Sequence, residues 1–324
     1  MKYCFIVNPC AGKGKCVEEL CEKIKSTCDE RGVDYDVCIA ETIKAQAEYV
    51  RSMASNRRDG EEIGFFACGG DGTLCKTMNA LMSLEDRQGI YLGLVPVGTG
   101  NDFVRNFGDA EVFKNIDAQL DCEKGFVDII RCNDMFSINM INIGFDCEVV
   151  VNTIKFKTGK LVPSKFAYIA GLVKTLVKKP GISMKISVDG GEYEDKKLLL
   201  TTFANGEFCG GGFHSNPRAK LNDGEIDSIF VNDITRLKFI SLVSYYKNGT
   251  HLDNDKFKAI VTPNKFNTVH MIFDNETNIS VDGELVKVKE LHLSVDKNAL
   301  GFILPRGANK QGLVELEEKQ AASV

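Results

Sequence analysis

The chain has 324 residues, 44% hydrophobic and 26% charged, an ordinary globular composition that can bury the cores of about two domains without metals or disulfides. Its net charge of −5 argues against a general nucleic-acid binder. It opens on a strand-like run with no basic leader, and no apolar stretch reaches the roughly 18 residues needed to span a bilayer, so a cytoplasmic protein is expected.

Tyr3 to Val7 reads as a buried strand. Asn8-Pro9-Cys10-Ala11-Gly12-Lys13-Gly14 follows, and Lys15 to Arg31 carries helical apolar spacing. The small residues of this loop suit either a phosphate cradle or a plain tight turn; the Gly-Lys-Ser/Thr ending of a Walker A loop is missing. A strand at Tyr35 to Ala40 and a helix at Ile43 to Asn56 come next. The strand Ile63 to Ala67 leads into Gly69-Gly70-Asp71-Gly72-Thr73, which opens a helix reaching Met82. Three glycines in four positions let a ligand touch backbone, Asp71 suits Mg²⁺ or its waters, and Thr73 suits a phosphate oxygen. The strand Tyr91 to Val95 leads into Pro96-Val97-Gly98-Thr99-Gly100-Asn101-Asp102-Phe103, which repeats that chemistry. The β-α-β-α order predicts an α/β domain with a Rossmann-like parallel sheet, and three such junctions on one sheet edge converge on one crevice.

The pattern changes near Gly125. Strands are expected at 126–132, 135–143, 184–188, 197–204, 226–231, 265–273, 285–288 and 291–295, with helices at 164–178 and 235–246. Asp189-Gly190 and Asp282-Gly283 are hairpin-turn dipeptides. The expected organisation is a nucleotide-binding α/β domain over 1–125 and a β-rich, antiparallel, sandwich-like domain over 126–305. A polar tail over 306–324 is read as loosely ordered or helical, with the first domain as the surface it packs back on. The 12 Cys include no Cys-x-x-Cys pair and read as reduced, small apolar residues; the four His look scattered.

The three loops, in this order and spacing, resemble the catalytic domain of the diacylglycerol kinase and sphingosine kinase superfamily, nearest to its soluble bacterial lipid kinases. Asn142-Ile-Gly-Phe-Asp146, Ala204-Asn205-Gly206, Gly210-Gly211-Gly212, Asp223-Gly224 with Asp227, and Asp282-Gly283-Glu284 extend the resemblance over nearly the whole chain. The resemblance implies an NAD kinase-like first domain, with ATP as co-substrate and Mg²⁺ as cofactor. It implies ATP contacts at Asn8, Pro9, Cys10, Ala11, Gly12, Thr42, Gly69, Gly70, Asp71, Gly72, Thr73, Thr99, Asn101 and Asp102. It places Mg²⁺ at Lys220, Asp223 and Glu225, with the Asp223 carboxylate and backbone carbonyls as oxygen ligands. Glu284 matches the family's general base, with Asp282 beside it. Judged locally, Asp223-Gly224 and Asp282-Gly283 are plain turns; the resemblance is what assigns them chemistry. The implied reaction is transfer of the ATP γ-phosphate to a lipid hydroxyl, diacylglycerol first, with sphingoid bases, phosphatidylglycerol or a non-catalytic nucleotide-binding regulator as alternatives. Homodimers occur in the family.

From Val149 to Val188 there are eight Lys and no acidic residue, and Phe166, Ile169, Leu172, Val173, Leu176 and Val177 recur at helical spacing. Packing of that stripe on the second domain is the favoured reading, and transient contact with an anionic membrane is the alternative.

Overall fold

The computed structural model describes residues 1–10, 17–98, 100–158, 166–178 and 181–310. Ala11, Gly12, Lys13, Gly14, Thr99, the lysines at 160, 165 and 179, and the tail from 311 lie outside the described residues.

The first half lays down β1 (Lys2–Val7), α1 (Val17–Arg31), β2 (Tyr35–Ile39), α2 (Ile43–Ser55), β3 (Ile63–Gly69), α3 (Asp71–Met82) and β4 (Ile90–Pro96). β1 pairs in parallel with β2 and β3, and β3 pairs in parallel with β4. Alternation along the strands feeds two cores. Cys4, Ile6, Phe65 and Ala67 face Val50 of α2 and Leu74 and Met78 of α3. Tyr3, Phe5, Phe66 and Cys68 face Ile24 and Cys28 of α1. Covering both faces is what a parallel sheet requires, since its crossover helices lie on both sides.

A 3₁₀ turn (Phe103–Phe107), α4 (Ala110–Lys114) and α5 (Ile116–Leu120) then lead to β5 (Cys122–Cys132), which runs through the expected boundary at 125. β6 (Met135–Ser137) and β7 (Met140–Gly144) replace the single strand expected over 135–143. A carboxylate distant in the chain makes the break: the amides of Ile138 and Asn139, between the two strands, and of Met140 at the start of β7 all donate to Asp282. Next come α6 (Phe145–Thr158), which periodicity did not reveal, α7 (Ala167–Lys178), β8 (Ile182–Val188), β9 (Glu194–Ala204), β10 (Ile226–Asn232) and α8 (Arg236–Lys247). The strand expected over 265–273 is divided between β11 (Val261–Phe266) and β12 (Thr268–Val281). There Asp189 Oδ1 accepts the amides of Asn267 and Thr268, which breaks the run. The two short strands expected over 285–295 belong to one long strand, β13 (Glu284–Pro305).

β13 joins the two halves. It starts antiparallel to β12, runs antiparallel to β5, and ends parallel to β4 with Phe302 opposite Leu92. Leu300, Phe302 and Leu304 therefore belong to the core of the first half. The residues after it stay there, with Arg306 bonded to Asp117 and Asp121 and the Asn309 amide to Phe107 O at 3.0 Å. β12 and β13 are linked by Asp282 (φ 47°) and Gly283 (φ 91°), both left-handed as a type I′ hairpin turn requires. The second half buries one core between its strands and another where α6, α7 and α8 cover β9 and β10. The eleven described cysteines are all free thiols, most of them buried.

Candidate active site

The order β4-β3-β1 places the ends of three parallel strands side by side, so their loops share one crevice. The loops are stitched together. The Val97 amide donates to Gly69 O at 2.9 Å, and the Asn8 amide to Cys68 O at 3.1 Å. Asn8 Nδ2 reaches Thr73 Oγ1 at 2.9 Å while Asn8 Oδ1 accepts the Cys10 amide. Gly98 packs so tightly on the second loop that a Cβ there would lie 2.6 Å from Gly70 Cα. The first turn of α3 has no side-chain cap, leaving the positive end of a twelve-residue helix facing the crevice. Thr42 ends the edge strand's connection on the same side, but its hydroxyl caps α2 by accepting the Ala45 amide at 3.1 Å.

Asp71 is engaged within the protein. Its Oδ2 accepts the Asn101 amide at 3.0 Å and its Oδ1 the Asp102 amide at 2.9 Å. Burial, followed by the nearby Asp102 charge, pushes its carboxyl upward, and those two amides oppose the shift. The buried Asp102 carboxylate in turn accepts the amides of Gly211 (2.8 Å) and Gly212 (2.7 Å). The triple-glycine loop is thus clamped to the loop after β4.

The hairpin turn brings Glu284 over α3. Glu284 Oε1 lies 3.2 Å from Lys76 Nζ, and a Cβ on Gly72 would stand 3.6 Å from the same oxygen. Asp282 has a different situation. It is buried and accepts from Ser137 Oγ (2.7 Å) and the amides of Ile138 (2.9 Å), Asn139 (3.1 Å) and Met140 (2.8 Å). Three of the four donors converge on Oδ1 and the fourth on Oδ2, which fixes the carboxylate against the 137–140 segment, so Asp282 builds the turn that positions Glu284.

A cavity of about 430 Å³ begins at Asp71, Gly100, Asp102 and Gly283 and runs under α6 and α8. Its far wall is apolar, with Phe145, Val149, Leu172, Leu200, Phe239 and Leu242. Asp146 lines it too, and burial raises its carboxyl from 3.8 to about 6.

Residues 2–131 match the diacylglycerol kinase catalytic domain, and residues 139–304 match the YegS C-terminal NAD kinase beta sandwich-like domain. The chain belongs to the family that joins a diacylglycerol kinase catalytic domain to a YegS C-terminal domain. It is a kinase, and the family implies use of ATP. A Staphylococcus aureus (strain JH9) protein named "Putative lipid kinase" is 26% identical over 240 residues, covering 74% of this chain and 76% of that protein. A diacylglycerol kinase structure from Bacillus anthracis (strain Sterne) superposes with a TM-score of 0.70 at 21% identity, covering 94% of this chain and 97% of that one. The latter is a likeness of fold.

In this kinase the segment expected to hold Mg²⁺ carries its own cation. Lys265 Nζ contacts Asp223 Oδ2, lies 2.9 Å from Glu225 Oε2 and 3.6 Å from Asp227 Oδ2. Asp223 Oδ1 accepts the Glu225 amide at 3.0 Å, and the Asp223 carbonyl accepts Lys297 Nζ at 2.9 Å. The Lys220 amide is turned toward Asp227. With Lys265 in place, each oxygen of Asp223 already accepts one donor, so a Mg²⁺ held by this hard-oxygen loop would take the position of the Lys265 ammonium. Sequence reasoning missed Lys265 because it lies on β11, 42 residues from Asp223. It also missed Lys76 as the partner of Glu284 and Asp146 as a cavity carboxylate, although Asp146 ends a motif already singled out.

Proposed function

We propose that this kinase transfers the γ-phosphate of ATP, delivered as its Mg²⁺ complex, to the hydroxyl of a lipid, with diacylglycerol the preferred acceptor. The observation that carries the reading is the continuity of the site: a largely apolar cavity opens between the Asp71–Gly100 rim and the Gly283 turn. Acyl chains fit the apolar walls, and a glyceryl hydroxyl at the mouth then meets the phosphate loops. The described amides of the three loops and the start of α3 hold phosphate oxygens. Glu284 accepts the proton of the attacking hydroxyl, and Lys76, 3.2 Å from Glu284 Oε1, holds that side chain over the start of α3. Asp71, Asp102 and Asp282 act by holding loops in place through the hydrogen bonds given above. The division into a nucleotide domain over 1–125 and a lipid domain over 126–305 follows from this reading, with the end of β13 as the tie between them.

Asp146 favours one second reading. A carboxylate inside an apolar cavity pairs well with an ammonium, so a sphingoid base is the alternative acceptor.

The outer surface of the cavity helices suits transient contact with a membrane. Val173 and Val177 on α7 and Leu237 and Ile240 on α8 are exposed, Leu237 at 81%. No helix among the described residues is long and apolar enough to cross a bilayer. Lipid would therefore enter from a surface against which α7 and α8 rest, helped by about 1 kcal/mol for each Lys near anionic headgroups.

The test is transfer of labelled γ-phosphate to diacylglycerol, sphingosine, phosphatidylglycerol, monoacylglycerol and NAD in mixed micelles. Label in diacylglycerol, abolished by Glu284→Gln, is the expected result. Label in sphingosine, abolished by Asp146→Asn, would establish the second reading instead. ATP binding with no labelled acceptor would overturn both in favour of a nucleotide-binding regulator.

A further inference from the structure

The far end of the hairpin that carries Glu284 holds a different chemistry. His270 on β12 is directly opposite His292 on β13. Glu290 precedes His292 by two positions, so all three side chains leave the same face of the sheet. The two imidazole rings stack at 3.8 Å with 16° between planes. Their Nε2 atoms converge on one oxygen, His270 at 2.7 Å and His292 at 3.1 Å from Glu290 Oε1. Tyr193, from the loop after β8, hydrogen-bonds His270 Nδ1 from behind.

We propose that His270, His292 and Glu290 form a binding site for a borderline transition-metal cation of the Zn²⁺ type, which staples β12 to β13. The donor set argues for this class. Two imidazoles and one carboxylate suit Zn²⁺, Co²⁺ or Ni²⁺ and suit neither Mg²⁺ nor Ca²⁺. The geometry argues for it as well. The three donor atoms lie within 4.8 Å of one another. Tetrahedral zinc with bonds of about 2.1 Å places its ligand atoms about 3.4 Å apart, so rotation of these surface side chains, moving the donor atoms by about an ångström and turning the stacked rings toward one another, closes the site. The Tyr193 contact supplies the outer hydrogen bond that metal-bound histidines use: with Nε2 on the metal, Nδ1–H donates to Tyr193 Oη and holds that tautomer. Water completes the coordination on the exposed side, where Glu290 and His292 are both more than half exposed. The site makes no contact with the Glu284 turn. Between them the β12–β13 register is irregular from Ile272 to Thr277, so a cation here clamps the hairpin beyond its irregularity.

The experiment is calorimetric titration of the full chain, stripped of metal by chelator and kept reduced, with Zn²⁺ and in parallel with Mg²⁺. Co²⁺ absorption reports the ligand type. The expected result is about one Zn²⁺ bound per chain, no response to Mg²⁺ at this site, and a visible Co²⁺ spectrum without the intense near-ultraviolet thiolate band. His270→Ala, His292→Ala and Glu290→Gln should each weaken Zn²⁺ binding by roughly tenfold or more while leaving the metal-free melting temperature unchanged. Tyr193→Phe should weaken it less. Three results would overturn the proposal: no Zn²⁺ binding, so that the cluster is an ion pair only; binding untouched by the histidine variants; or a thiolate band, which would move the metal to the cysteines.

Discussion

Asp71 holds the backbone of Asp102, and Asp102 holds the triple-glycine loop: Asp71 Oδ1 accepts the Asp102 amide at 2.9 Å, and the Asp102 carboxylate accepts the amides of Gly211 and Gly212. Two carboxylates 31 positions apart thus form one relay from the Gly-rich loop after β3 to a loop more than 100 residues further on. These hydrogen bonds tie the Asp71 loop to residues 211 and 212.

The relay predicts what loss of its middle member does. Asp102→Ala removes the charged acceptor of two partly buried amides and should cost about 1–3 kcal/mol of stability. It should also speed amide hydrogen exchange at residues 210–212 while leaving the β1–β3 ladder protected. Unchanged exchange at Gly211 and Gly212 would show that the clamp does not hold the loop.

Glu284 and Asp282 should separate cleanly. Glu284→Gln keeps the turn and is expected to lower turnover by about 10²–10⁴-fold with ATP affinity little changed. Asp282→Asn removes the charge and sets an NH2 donor against a backbone amide in place of one oxygen, and its first effect should be a stability loss of about 1–3 kcal/mol. Denaturant midpoints and ATP titrations on both variants distinguish the roles. A fully stable Asp282→Asn protein with lost turnover would return Asp282 to the chemistry.

Asp146 makes stability depend on pH in a definite direction. Burial raises its carboxyl from 3.8 in the open chain to about 6 in the fold, so between those values the native state binds more protons than the unfolded one. Its contribution therefore falls as pH rises from about 4 to 6, and the full penalty persists at pH 7. Asp146→Asn should remove that fall and gain on the order of 2 kcal/mol at pH 7. Urea midpoints at pH 4, 5 and 7 check this; a variant less stable than the parent at pH 7 would contradict it.

Lys265 predicts how the acidic loop behaves toward Mg²⁺. Without nucleotide, millimolar Mg²⁺ should leave the melting temperature of the parent protein unchanged. Lys265→Met leaves Asp223 and Glu225 without their shared ammonium, should cost about 1–2 kcal/mol, and should make the melting temperature rise with Mg²⁺. A Mg²⁺ response in the parent that disappears in Asp223→Asn would show that the cation displaces Lys265.

Most of the first half was legible in the sequence. Strand runs such as Tyr3 to Val7 and helix spacings such as Leu74 and Met78 report burial by periodicity, which is a local property. The Gly-rich loops were legible for the same reason, because close backbone approach permits few residue types. The second half was less so. Two expected strands broke because the carboxylates of Asp282 and Asp189 captured backbone amides. The two short strands expected from 285 to 295 proved to be part of one 22-residue strand.

By itself, the sequence determined the α/β pattern, the three loops at strand ends, the Asp282-Gly283 turn and the family resemblance, all of which depend on residue type over a few neighbouring positions. The tertiary structure alone decided which carboxylates are already engaged. Glu284 faces Lys76, Asp223 faces Lys265, and Asp282 is enclosed by four donors, although each stands in a similar acidic turn. It also decided that two of four scattered histidines meet across β12 and β13, and that the end of β13 lies beside β4. Periodicity states that a side chain has a buried face; the identity of its partner depends on strand order and register, which bring together residues far apart in the chain.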